Sequence, residues 1–124
     1  MKVLSVDDSR MVHMVVTKAL KPVGIDVITA SNGQEGLDKA RSEHPNVIVM
    51  DATMPVMNGI EALEQLKLDP TTRDIPVIML SADAGKDNID RAIQLGAIKF
   101  ITKPFTAEGL IESLAPYLDL PAKV

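Results

Sequence analysis

Residues 2–10 read KVLSVDDSR: a near-continuous apolar run, Val3 to Val6, ends abruptly in two adjacent carboxylates, Asp7 and Asp8. A run that short and without clean alternation fits a strand covered on both faces, as in a parallel sheet, better than a strand with one face in water. The same shape recurs at 47–50, where VIVM runs into Asp51, and at 77–80, where VIML runs into Ser81. Further runs at Val27 to Ala30 and at Phe100 to Ile101, approached from Ala97, bring the strand candidates to five.

Between these runs lie segments with helical spacing. Met11, Val12, Val15, Val16, Ala19 and Leu20 predict one apolar stripe on a helix that stops at Pro22. Further helices are predicted over about Gly33 to Glu43, Gly59 to Leu68, Lys86 to Leu95 and Thr106 to Leu118, the last with Leu110, Ile111, Leu114 and Leu118 on one side. Strand and helix alternate throughout, and parallel neighbours need a crossover of this length, almost always right-handed. The predicted fold is therefore α/β: a doubly wound five-stranded parallel sheet, strand order 2-1-3-4-5, in a flavodoxin-like (αβ)5 sandwich. That order reverses between the first and third strands and opens a crevice at their carboxyl ends.

With 124 residues, 46% of them hydrophobic, the chain is expected to form one domain over 1–124. Thirteen Lys and Arg against seventeen Asp and Glu give a net charge of -4 with no basic block, which argues against direct nucleic-acid binding. The absence of cysteine removes disulfides, thiolate metal sites and cysteine nucleophiles together. The start, MKVLSV, lacks the long apolar segment of a signal peptide or membrane helix, so a cytoplasmic protein without membrane insertion is expected. Phe100, Phe105 and Tyr117 are the aromatic residues, too few to stack bases or sandwich a flavin ring.

The predicted strand order gathers Asp7, Asp8 and Asp51 at one crevice, with Ser81 from the next strand and Thr102 and Lys103 from the fifth. Asp8 or Ser9 serves equally well as a cap for the following helix. Asp51 does not: ATMPVMNG follows it, and the next helix is predicted to start near Asn58. Lys103 alone reads as a solvated turn residue, but the set together reads as a site. Two unit charges about 4 Å apart repel by roughly 4 kcal/mol at an effective dielectric of 20, so the carboxylates require a cation. Oxygen donors without His or Cys suit Mg2+, and three carboxylates, the Lys103 ammonium and one Mg2+ sum to zero charge. A cation, an ammonium and a hydroxyl around a carboxylate also equip phosphoryl transfer, with Asp51 in mid-sheet as the acceptor.

VDDS at 6–9, DATMPVMNG at 51–59, LSA at 80–82 and KPF at 103–105 resemble, in order and over essentially the whole chain, the receiver domains of bacterial two-component response regulators. The resemblance implies that Asp51 accepts a phosphoryl group from a histidine kinase, a phosphotransfer protein or a small donor such as acetyl phosphate. It implies that Asp8, Asp51 and the backbone carbonyl of Thr53 bind Mg2+, that Asp7 acts through a bound water, and that Ser81 and Lys103 hold phosphoryl oxygens. Pro104 looks like the family's proline after a cis peptide. Phe100 looks like the switch aromatic that follows the Ser81 hydroxyl inward and reshapes the face of the fourth helix, fifth strand and fifth helix, although it reads equally as a core residue. Phe in place of the frequent Tyr removes a hydroxyl from that face. Thr53 and Asp83 stand where the family tunes hydrolysis. His13 and His44 read as structural, and Met54 and Met57 as gap fillers or a partner surface.

The expectation is thus a phosphorylation-controlled switch rather than a turnover enzyme, acting on a downstream target or effector domain. It would be a stand-alone chemotaxis-type or phosphorelay receiver, or the receiver of a longer regulator. Two alternatives stay open. A Mg2+-dependent phosphatase would use Asp51 as nucleophile, but Thr53 stands where such hydrolases carry a second acid. A flavodoxin-like binding module shares the fold, but scarce aromatics and the acidic crevice speak against flavin.

Overall fold

In the computed structural model, which describes residues 1–52, 54, 56–82 and 85–118, strands and helices alternate along the chain. They are β1 Lys2–Val6, α1 Arg10–Leu20, β2 Asp26–Ala30, α2 Gly33–Glu43, β3 Val47–Asp51, α3 Gly59–Leu68, β4 Val77–Ser81, α4 Lys86–Gln94, β5 Lys99–Thr102 and α5 Ala107–Leu118. The sheet order is β2-β1-β3-β4-β5 with every pair parallel, as the alternation predicts. Register aligns the strand ends: Val6 pairs with Met50, Asp51 with Leu80, and Ser81 with Thr102.

Every residue of β3 and β4 is buried, which is why their sequences are unbroken apolar runs. The edge strands carry exposed residues instead, Asp26 and Thr29 on β2 and Lys99 and Thr102 on β5. Odd and even residues of each strand feed two separate cores. Leu4, Val6, Ile48, Met50 and Met79 pack under Leu37, Leu63, Leu66 and Ala92 of α2, α3 and α4. Val3, Val47, Val49, Ile78 and Leu80 pack under Val16 and Leu20 of α1 and Leu110, Leu114 and Leu118 of α5. Each fully buried Leu contributes about 1.5–3 kcal/mol.

Local signals set the ends of the elements. Asn32 and Asn58 cap α2 and α3, each side chain accepting from the N–H three residues on, at Glu35 and Glu61. Thr106 caps α5 by accepting from Gly109 N–H, so α5 starts one residue later than predicted. Helix α1 ends at Leu20, and Pro22 falls in a following 3-10 turn, after which Gly24 at φ 77 reverses the chain into β2. The α1 stripe departs from prediction at its start: Val16 and Leu20 are fully buried, but Met11 is 73% exposed. Within that first turn Val12 still packs against the core and His13 reaches β1, so the departure is confined to the side of the helix on which Met11 stands.

Candidate functional site

Asp7 follows β1, Asp51 closes β3, Ser81 closes β4, and Lys103 follows β5, so the fold delivers all four to one mouth of the sheet. Asp7, Asp51 and Ser81 are buried, whereas the neighbouring Asp8 is exposed. Lys103 N–H donates to Ser81 O at 2.8 Å, and the Lys103–Pro104 peptide is cis. The Lys103 ammonium donates to Asp7 Oδ2 at 2.9 Å and lies 3.3 Å from Asp51 Oδ1. One carboxylate oxygen from each of Asp7, Asp8 and Asp51 lies within 4.8 Å of the others.

The repulsion inferred from sequence is therefore relieved in part by the protein itself. Burial pulls the Lys103 pKa down, but the hydrogen bond to Asp7 and the charges of Asp51 and Asp7 outweigh it and hold the pKa above the ordinary lysine value. Lys103 is accordingly an ammonium at neutral pH. Capping is not what the aspartate pair does: Ser9 is the N-cap of α1 but makes no side-chain capping bond, and its N–H donates to Asp7 Oδ1 at 2.9 Å.

Asp7 is anchored at every polar atom. Its N–H donates to Ala30 O at 3.0 Å, its carbonyl accepts from His13 Nε2 at 2.8 Å, and its two carboxylate oxygens accept from Ser9 and Lys103. The donor set of the cluster is oxygen alone, which fits a hard divalent ion such as Mg2+. Both Asp7 oxygens are engaged, and Asp51 Oδ1 faces the same Lys103 ammonium. Thr53 and Asp83 lie outside the described residues.

Phe100 pairs with Met79 in the β4–β5 register and is partly buried against the core under α2, α3 and α4. Ser81 stands two residues after Met79 on the same face, so the two proposed switch residues share one side of the sheet. Of the methionines, Met54 is buried in that core and Met57 packs against it, which makes Met54 a filler rather than a partner surface. His44 is the C-cap of α2 in a left-handed conformation, φ 48. His13, read as structural, bridges Ser5 and Asp7. The available cue was Ser5, the one polar residue inside the first apolar run. Beside Lys103 opens an apolar groove of about 300 Å³ lined by Met11, Val12, Val15, Ala82, Pro104 and Phe105.

The response regulator receiver domain family matches residues 3–115, and the chain belongs to that family. It is a receiver of the CheY type, a phosphorylation-activated switch of two-component signalling. Chemotaxis protein CheY of Bacillus subtilis is 36% identical over 120 residues, covering 95% of this chain and 98% of that protein. The protein-glutamate methylesterase/protein-glutamine glutaminase of Archaeoglobus fulgidus is 41% identical over 122 residues, 95% of this chain, and the chain spans about a third (34%) of that protein's length. Among solved structures, the CheX-CheY-BeF3-Mg2+ complex from Borrelia burgdorferi aligns with a TM-score of 0.88 and 27% identity over 95% of this chain and 89% of that one. Among the described residues, no helix is long and apolar enough to cross a membrane.

Proposed function

We propose that Asp51 is the phosphoacceptor of this receiver and that the molecule works as a cytoplasmic relay element, charged by a histidine kinase or phosphotransfer protein and read by a downstream target or effector domain. The observation that carries this is the position of the Asp51 carboxylate, 3.3 Å from an ammonium already bonded to Asp7 and within ligand distance of Asp8. In the proposed step an Asp51 oxygen attacks phosphorus as the donor's P–N bond, or the P–O bond of acetyl phosphate, breaks. The product is an acyl phosphate on Asp51, and the imidazole or acetate leaves. Lys103 moves its ammonium onto one phosphoryl oxygen and the Ser81 hydroxyl donates to another. Asp8, Asp51 and the Thr53 carbonyl would hold Mg2+, with Asp7 behind a water, and when bound the ion neutralises phosphoryl charge. Withdrawal of the Ser81 hydroxyl toward phosphate frees space on the face it shares with Phe100, and α4, β5 and α5 repack in response.

The chain assists its own modification without turning over substrate, so one phosphoryl group per chain is expected. Intact-mass measurement with acetyl phosphate and Mg2+ should show a single addition on the wild type, none on Asp51→Asn, and none in EDTA. Equal modification of Asp51→Asn would remove Asp51 from the role, and steady release of phosphate from many monoesters would favour the phosphatase.

A further inference from the structure

We propose that His13 is a positioning residue for the acidic pocket: it fixes the peptide between Asp7 and Asp8 so that Asp8 and Asp51 close on a divalent cation. The proposal rests on reading the carboxylate trio as that cation's site. The His13 ring leaves α1 and touches β1 and its exit at two points, with Nδ1 2.9 Å from Ser5 Oγ and Nε2 2.8 Å from Asp7 O. A carbonyl only accepts, so Nε2 carries the proton and donates, and in the neutral ring Nδ1 accepts from the Ser5 hydroxyl. Ser5 is 0% exposed, and its hydroxyl therefore holds the ring in one orientation away from water.

The bond to Asp7 O falls on the peptide that leads into Asp8. The Asp7 N–H and one carboxylate oxygen are tied elsewhere, to Ala30 and Lys103; the other carboxylate oxygen accepts from Ser9 N–H and closes a turn over the same peptide, whose carbonyl His13 holds from the opposite end. Asp8 is exposed, and its approach to Asp51 follows from where its backbone is aimed. Outer-shell groups that orient a metal ligand commonly change metal affinity by about 10–100-fold.

Two amide replacements separate the ends of the ring. Gln places its amide nitrogen near the reach of Nε2 and keeps the donor to Asp7, whereas Asn reaches only as far as Nδ1 and keeps the contact to Ser5. Mg2+ titration calorimetry on the full chain, with unfolding midpoints measured in EDTA alongside, should give H13Q a Kd within about twofold of wild type and H13N one about tenfold weaker. Both variants give up one of the two hydrogen bonds, so similar midpoints are expected. A purely structural histidine would leave the two Kd values equal, and that result overturns the proposal. Failure of the wild type itself to bind Mg2+ saturably would overturn the cation site, a different result from equal Kd values in two binding-competent variants.

Discussion

Lys103 reaches Asp7 across ninety-six positions of sequence, and that contact sets the electrostatics of the mouth. Asp7 is 1% exposed, so deleting its ammonium partner leaves a buried carboxylate uncompensated beside two others. Lys103→Met should therefore lower the metal-free stability by about 2 kcal/mol, less than for a sealed pair because the Lys103 side chain keeps 21% exposure. The same change should tighten Mg2+ binding, since it removes the ammonium that, among the described residues, pairs with Asp7 and Asp51. Urea unfolding with EDTA and with Mg2+ tests both. Unchanged stability in EDTA would mean that the ion pair contributes nothing. At this scale the sequence was legible in composition and opaque in contact. Asp7, Asp8, Asp51, Ser81 and Lys103 announced a site by their places after strands. That Lys103 itself shields Asp7, that His13 holds the Asp7 carbonyl, and that the β-branched Val56 sits at φ 68 depend on chain closure no local pattern encodes.

Helix α3 is pressed against the end of the strand that carries Asp51. A Cβ on Gly59 would run into the Asp51 carbonyl oxygen and the Ala52 backbone, and Gly59 N–H donates to Ala52 O at 3.0 Å. Gly59→Ala is expected to cost roughly 1–3 kcal/mol by overpacking and, by shifting Asp51, to slow its modification by acetyl phosphate. Gly24→Ala supplies the contrast: at φ 77 with open space around it, it should cost about 1 kcal/mol through backbone strain and leave the modification rate alone. Equal rates in the two variants would break the link between α3 and the strand end. On the far side, Arg41 of α2 clamps Asp69 at the end of α3 at 2.8 Å. Bonds from Thr71 N–H, from Arg41 and from the Thr71 hydroxyl hold the Asp69 pKa down, to about 2. A depressed carboxylate pKa contributes stability above the unfolded value, near 3.8, and loses it as pH falls toward 2. The stability gap between wild type and Asp69→Asn should therefore shrink from pH 5 to pH 2 in thermal unfolding, and a gap that stayed constant would contradict the clamp. Elements were easiest to read where both faces are covered, as in β3 and β4. They were harder at the edges, where β2 and β5 mix exposed and buried positions, and at Met11, whose helical spacing carries no information about where the sheet stops.

For the molecule as a whole, a ligand that binds the folded mouth and not the unfolded chain must raise global stability. Mg2+ at ten times its Kd should add about 1.4 kcal/mol, visible as a higher unfolding midpoint that EDTA reverses and that Asp51→Asn diminishes. A midpoint indifferent to Mg2+ would deny that the trio binds the ion in the folded state. Because all strands run the same way, the acidic cluster lies at the rim where they end, opposite the rim where they start. At the rim where the strands start, Lys2 and Asn46 are laced together, with Lys2 N–H on the Asn46 side-chain Oδ1 and Asn46 N–H on Lys2 O, both at 2.9 Å. Met1 is exposed there, a strand's length of about 17 Å from the acidic rim. A fluorophore or a surface linker grafted at Met1 would thus leave the opposite rim open to visiting proteins, and the chain can be arrayed on a sensor chip in one orientation.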